Sequence, residues 1–374
     1  MDNIFITKIQ IGKVRHLENI DVELSADERK HLIFTGKNGS GKTSLLEAMR
    51  ASVDYHQRFE SHIASTNTIK CRHNKVCMNF LQPFSASKDM IFVYISARRS
   101  KLSSPKAIEP IEVRYKNEVS RNVSADFLKY ILNLDYRLYG AKTDENKQLE
   151  ASLDKWFDNF EKALQNIYDS SELKLKRDTK NLAFRIEMPG RETFALNEMS
   201  DGYAAFLNIV MELLMRFEEA DAEVDYDKSA IVMIDEIETH MHVELQKKAL
   251  PFLTQMFPNV QFIVATHSPF VITSLEDAVV FDLEKRERLE RPSFYSYDTV
   301  VESFLDTSMY SHELQKYFAR YKELCLKERT PEENKEFLRA KAELEIKTIP
   351  STELYIAFQE LEKARKAAKN GTIK

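Results

Sequence analysis

Glycine is scarce in this chain and is concentrated in one place. Only 8 of the 374 residues are glycine, about 2% where roughly 7% is usual. Three of the eight, Gly36, Gly39 and Gly41, stand within six consecutive residues. A glycine-poor chain that gathers glycine so tightly needs unusual backbone geometry there. The flanks say what that geometry serves. Leu32 to Thr35 form an apolar run readable as a buried strand, and Leu45, Leu46 and Met49 follow at helical spacing. Between them, Gly36 to Thr43 match G-x-x-x-x-G-K-[ST]. Strand, glycine loop and helix together mark a phosphate-binding loop, in which curled backbone and a helix amino terminus turn N–H groups toward phosphate. The residues expected to hold ATP are Gly36, Lys37, Asn38, Gly39, Ser40, Gly41, Lys42, Thr43 and Ser44. Lys42 is expected on the β- and γ-phosphates, where its charge also serves catalysis, and the Thr43 hydroxyl on Mg²⁺.

Two further apolar runs end in chemistry. Ala230 to Ile234 is followed by Asp235 and Glu236, which puts two carboxylates at the carboxyl edge of a parallel sheet, where ligands bind. Asp235 is expected to hold Mg²⁺ with Thr43, and Glu236 to polarise the attacking water. Val260 to Ala265 runs into Thr266, His267, Ser268 and Pro269. The proline stops the strand. A right-handed crossover brings His267 to the same edge as Asp235, where a neutral imidazole could hydrogen-bond the γ-phosphate or the water.

Residues 197–203 read NEMSDGY, and residues 235–242 read DEIETHMH. With the loop and His267, these motifs resemble the ABC-class AAA ATPases of the OLD, RecF and SMC-like group. Ser200, Asp201 and Gly202 look like that group's signature, which caps the γ-phosphate bound by a second subunit. The resemblance therefore implies a homodimer or higher oligomer with ATP sandwiched at the interface. Ser200 is also placed to cap the following helix. His240 and His242 fall in the D-loop equivalent, where dimer contact is favoured over a metal. The match covers roughly residues 5–50 and 195–285. It departs from the family where Val243 replaces the usual proline, and MSDGY lacks the second glycine and the glutamine of transporter signatures.

The implied fold is α/β: an ABC-ATPase-type P-loop NTPase with a mixed or parallel core sheet, an inserted helical and β subdomain and a helical C-terminal tail. The expected divisions are 1–100, the first part of the core; 101–196, the insertion; 197–290, the second part; and 291–374, a helical tail suited to partner binding. Ile9, Ile11, Val14, Leu17, Ile20 and Val22 frame two early strands. Asn74 to Leu81 and Met90 to Ile95 look like strands too, the second running into Arg98 and Arg99. That pair serves a phosphate site or faces outward to solvent or DNA. Gln57 and Gln82 are candidates for the family's Q-loop glutamine. His62, Cys71, His73 and Cys77 have loose zinc-like spacing without a C-x-x-C pair. Leu149, Leu153, Trp156, Phe157, Phe160, Leu164 and Ile167 step by three and four residues, an amphipathic helix with a core face. Thr330, Pro331 and Glu333 open a helix by a capping box, and Ser351 is a candidate cap for another.

Composition then excludes. No apolar run approaches the roughly 18 residues of a membrane helix, so no membrane partner is expected. MDNIFITKIQ lacks a basic patch followed by an apolar core, and three cysteines imply no disulfide framework. A cytoplasmic location is expected. The net charge of −5 argues against a polycation. The tail lacks the carboxylates of a Toprim nuclease. By resemblance to the ATPase subunits of antiphage systems such as Septu, PARIS and retron complexes, the expected function is an ATPase that controls a separately encoded effector, a nuclease or toxin. The alternative is a RecF-like repair ATPase binding nucleic acid through Lys8, Lys13, Arg15, Arg98 and Arg99. A transporter ATPase and a non-hydrolysing scaffold fit less well.

Overall fold

The computed structural model describes residues 4–59, 66–70, 76–84, 90–99, 102, 119, 122–218, 224–226, 228–305, 311–326, 329–347 and 353–369. The chain divides into two compact units, Met1–Val300 and Val301–Lys374.

The first unit is the expected α/β fold. Its central sheet contains β3 (His31–Thr35), β6 (Ile91–Ile95), β10 (Ala230–Asp235), β11 (Val260–Ala265), β12 (Ala278–Asp282) and β13 (Glu287–Glu290). Their order is β13-β12-β3-β11-β10-β6. The contacts from β12 through β6 are all parallel, and only β13 pairs antiparallel, at the edge. The sequence explains this. β10 and β11 are buried along their whole length, as strands covered on both faces must be, so they read as unbroken apolar runs. A second, antiparallel sheet joins β1 (Ile6–Val14), β2 (Leu17–Glu23), β4 (Thr66–Lys70) and β5 (Val76–Phe84) in the order β2-β1-β5-β4. Its strands alternate, with Ile9, Ile11, Val14, Ile20 and Val22 buried. Helix α1 (Lys42–Phe59) sends Leu45, Leu46, Met49 and Val53 into one core shared by both sheets.

One polar side chain ties the two sheets. Gln261, in the middle of apolar β11, is fully buried. Its Oε1 accepts from the Ile6 N–H at 2.8 Å, and its Nε2 donates to the Ile6 carbonyl at 3.0 Å and the Lys30 carbonyl at 2.8 Å. A buried amide is tolerated because its hydrogen-bonding capacity is used.

The segment between the core strands forms α2 (Phe127–Thr143), α3 (Lys147–Tyr168) and the antiparallel strands β7 (Lys174–Asp178), β8 (Ala183–Glu187) and β9 (Phe194–Ala195). The Asn146 side chain caps α3 by accepting from the Leu149 N–H. The apolar stripe of α3 packs inward as its spacing predicts. Trp156 and Phe160 stack at 5.3 Å and surround Phe127 of α2. Each such ring contributes about 1.5–3 kcal/mol by burial. Helix α4 (Asp201–Phe217), α5 (Val243–Met256), the short α6 (Pro269–Ile272) and a single turn α7 (Tyr297–Thr299) complete the unit.

The second unit is the expected helical tail, with α8 (His312–Cys325), α9 (Pro331–Lys347) and α10 (Glu353–Lys369). The Thr330 capping box is present: the Glu333 N–H donates to Thr330 Oγ1 at 3.3 Å, and the Thr330 N–H to a Glu333 carboxylate oxygen at 3.0 Å. Ser351 lies outside the described residues. Tyr321, Phe337, Leu344 and Phe358 form the core. Within it, Glu362 accepts from Tyr321 Oη, from Lys341 at 3.1 Å and from Arg365 at 3.0 Å. Burial opposes its charge, but those three donors hold the carboxyl down at about 2. Among the described residues no helix is long and apolar enough to cross a membrane.

Gln261→Leu keeps the side-chain volume and strands three backbone groups. A loss of about 2–4 kcal/mol of unfolding free energy is expected from urea denaturation; an unchanged midpoint would show that the sheets are joined by packing alone.

Candidate functional site

The glycine loop follows β3 directly. Gly36, Gly39 and Gly41 have φ of +129°, +87° and +97°, values that side-chain-bearing residues rarely adopt. A Cβ on Gly36 would also come within 2.9 Å of Ser40 Oγ. The loop folds around Lys42, whose Nζ donates to the carbonyls of Gly36 at 2.7 Å and Lys37 at 3.2 Å. Lys42 is only 6% exposed. Burial lowers its pKa, and Glu236, Glu238, Asp235 and Asp282 pull it back up. Ser40 is buried and Ser44 half-buried, while Asn38, Gly39 and Thr43 are exposed. Lys37 pairs with Glu284 at 3.6 Å. The turn between β1 and β2 braces the loop from the side: His16 Nε2 donates to the Ser40 carbonyl at 3.1 Å.

The acidic strand end meets the loop. Thr43 Oγ1 donates to Asp235 Oδ1 at 3.2 Å, although 192 residues separate them. Asp235 is 3% exposed. Burial raises its pKa, the Thr43 hydroxyl opposes, and Glu236 and Glu47 raise it further. Crowded carboxylates of this kind fit a cation. A hydroxyl and a carboxylate are the hard oxygen donors Mg²⁺ takes when phosphates and water complete its shell. Among the described residues no group of three or more His, Cys, Asp or Glu could hold a metal, and Mg²⁺ bound in this way does not need one. His240 and His242 therefore belong to no such group. Both are exposed.

Glu236 stands on a turn with φ of +44°. Arg99 holds that turn. Its Nη2 donates to the Glu236 carbonyl at 3.0 Å and its Nη1 to the Ile237 carbonyl at 3.2 Å. The placement follows from register, because β6 runs parallel to β10 with Ile95 opposite Ile234. Burial lowers the Arg99 guanidinium to about 10, so it stays charged at neutral pH. Neither sequence reading of Arg99 describes this role, since it grips backbone rather than phosphate or DNA. Arg98 is exposed. Thr239 Oγ1 lies 3.4 Å from Glu236 Oε2 and donates to it.

His267 follows β11, one strand from Asp235. Its N–H donates to Glu238 Oε1 at 2.6 Å. Burial and then Lys42 lower its pKa, against Glu238 and Glu236, which keeps the imidazole neutral at pH 7. Ser268 caps the short helix beyond by accepting from Phe270 and Val271. Glu238 and Arg99 are the positioning groups that the sequence did not reveal in those roles; the only sequence signal is their place just beyond strands that pair.

Ser200 occupies the N-cap position of α4, but its side chain is exposed and makes no capping bond. Gly202 abuts the D-loop equivalent: a Cβ there would lie 2.7 Å from the His240 carbonyl oxygen. This glycine is needed for close approach and not for its φ. Tyr203 stacks on Tyr168, at the end of α3, with centroids 4.1 Å apart.

The remaining candidates separate from the site. Gln57 is on α1 and Gln82 on β5, whereas β6, beside β10, runs out into Ser96–Arg99 without a glutamine. His62, Cys71 and His73 lie outside the described residues. Cys77 is half-buried in β5, with Asn79 Oδ1 3.8 Å from its sulfur.

A profile of the family described as "AAA domain, putative AbiEii toxin, Type IV TA system" matches residues 87–273. That span holds the signature, the acidic strand end and His267. The Septu protein PtuA of Bacillus mycoides (strain KBAB4) is 22% identical over 304 residues, covering 76% of this chain and 41% of that protein. The Retron Ec83 probable ATPase of Escherichia coli is 27% identical over 156 residues, covering 39% of this chain and 28% of that protein. The chain thus spans less than half the length of either relative. Among solved structures, an SMC head bound to the C-winged helix domain of ScpA is 12% identical, covers 74% of this chain and 94% of that one, and has a TM-score of 0.41, a distant likeness.

Gly202→Ala forces the helix start and the His240 turn apart. Overpacking of this kind costs about 1–3 kcal/mol, readable as a lower urea midpoint; unaltered stability would mean that the turn yields freely.

Proposed function

We propose, on the premise that the chain belongs to the AAA-domain family matched across residues 87–273, that it binds ATP with Mg²⁺ and hydrolyses it to ADP and phosphate. The contact between Thr43 and Asp235 carries this reading. It joins the loop that would hold phosphate to the carboxylate that would hold the metal, in reach of Lys42, Glu236 and His267.

Each residue then has a role. The N–H groups from Gly36 to Ser44 cradle phosphate oxygens at the start of α1. Lys42 leaves its carbonyl partners for the β- and γ-phosphates. Thr43 and Asp235 hold Mg²⁺, which when bound screens charge developing on the phosphates. Glu236 takes a proton from water, on a turn fixed by Arg99. Neutral His267 donates a hydrogen bond toward the γ-phosphate, its backbone held by Glu238.

The signature reading extends this to an ATP sandwich. Ser200 has an uncommitted, exposed hydroxyl at a helix start, fitted to a phosphate of a second copy. Hydrolysis would then open a dimer and act as a switch. Similarity to the Septu protein PtuA and to a retron probable ATPase supports antiphage defence with a separately encoded effector, a nuclease or toxin. The helical tail is the candidate docking unit, with Leu326, Leu338 and Ile356 exposed on it. The chain is read as a cytoplasmic protein. The RecF-like alternative is weakened by its own cations: Lys8 pairs with Asp21 and Glu23, Lys13 with Glu18, and Arg99 turns inward.

Glu236→Gln should retain ATP and elute as a dimer in size-exclusion chromatography with ATP and Mg²⁺; a monomer at high concentration contradicts the sandwich. Arg99→Met should lower kcat about 10- to 100-fold with nucleotide affinity kept. A change confined to KM would contradict the positioning role.

A further inference from the structure

The Arg99 guanidinium has a second face. Beside it lies a polar cavity of about 140 Å³, bounded by Arg50 of α1, Tyr94, Arg98, Asn122 and Glu212 of α4. Three guanidinium groups border it against one carboxylate. That carboxylate is already committed: one Glu212 oxygen accepts from the Val123 and Ser124 N–H groups, each at 2.8 Å, and the other from Arg216 Nε at 2.8 Å. Among the lining residues the excess charge is therefore positive, and Asp235, Glu236 and Glu238 act on Arg99 from outside the lining. Tyr94 does not offset it. Burial first, then Asp235 and Glu47, push its hydroxyl up to about 12, so it remains a neutral donor.

Two donors here lack acceptors. Arg50 Nε and Arg99 Nε are buried and have no hydrogen-bond partner among the described residues. Arg50 is held in place by its packing over the Tyr94 ring, 5.3 Å from the centroid. A buried N–H without an acceptor is costly, and two of them on one cavity call for an oxygen-rich anion. Size narrows the choice. Sites for small organic ligands usually measure about 300–1,000 Å³, so this one excludes a nucleotide and suits a compact tetrahedral oxyanion.

We propose that this cavity binds inorganic phosphate and that its occupancy adjusts the turn carrying Glu236. The coupling runs through one planar group: Arg99 holds the Glu236 and Ile237 carbonyls with its two terminal nitrogens, its Nε–H has no acceptor among the described residues, and the residue itself lines the cavity. An anion drawn to Nε moves the same plane that fixes the catalytic turn. Phosphate is a product of the hydrolysis proposed above, on which this regulatory role rests, so the cavity acts as a product sensor.

Binding can be tested apart from turnover. Equilibrium dialysis with radiolabelled inorganic phosphate should give one site per chain in Lys42→Ala, whose glycine loop is crippled. Adding Arg50→Met should weaken that site at least tenfold. Arg98→Ala, at an exposed position, should weaken it several-fold and serves if the first variant does not fold. Glycerol phosphate should bind at least tenfold more weakly than inorganic phosphate. No saturable site in Lys42→Ala, affinity untouched by both arginine changes, or equal binding of the two phosphates would overturn the proposal. In steady-state assays phosphate should lower kcat of the wild type, and Arg50→Met should lose that sensitivity while keeping basal turnover. Phosphate acting on KM alone, with kcat constant, would refute the coupling to Glu236. Absence of any ATPase activity would refute the hydrolytic reading and leave the dialysis result standing as the test of the site.

Discussion

Parallel pairing governs this molecule, because parallel strands deliver their carboxyl ends to a single edge. β3, β11, β10 and β6 are neighbours in that order. Asp235 lies opposite Ala265, and Ile234 opposite Ile95. The residues that leave these strands are therefore gathered at one edge: the glycine loop after β3, His267 after β11, Glu236 after β10 and Arg99 after β6. Sequence separations of 137 to 192 residues become hydrogen bonds of about 3 Å. No single motif accomplishes this. The register does, and in β11 the buried Gln261 amide helps to pin it, because a slip would take that side chain away from the Ile6 and Lys30 backbone groups.

The opposing pKa tendencies at that edge share one origin. Burial lowers Lys42 and His267 and raises Asp235, so each charged form is disfavoured by lost water. Neighbouring charges of the opposite sign make up part of the difference. In the proposed function a triphosphate with its cation would supply charges that offset this lost hydration.

Much of this was legible in the sequence because its signals are local or periodic. A glycine loop between strand and helix, apolar runs ending in Asp-Glu or Thr-His, and the three- and four-residue steps of α3 are read within a short window. The missing parts are contacts between a side chain and a distant backbone, which leave no period. Gln261 sits unremarked within an apolar strand, yet serves groups 231 and 255 residues away. Arg99 was readable as a basic residue near a sheet edge but not as a clasp on two carbonyls. Gly202 stands in a motif, but the physical demand on it is the nearness of the His240 carbonyl. Glu238 was visible as one more acidic letter, and its role appears only when His267 is beside it.

Gln261 has a mechanical consequence. Its amide welds β1 to β11 and to the segment entering β3, so the antiparallel sheet cannot slide over the central one. The β1–β2 turn, at the far end of β1, rests on the glycine loop through His16 and Ser40. The β1–β2 hairpin therefore spans from the buried Gln261 contacts at Ile6 to the glycine loop at Ser40. With β1 laddered to β2 and β5 and its apolar side chains in the core, the glycine loop is braced by a strand whose other end is tied to the central sheet.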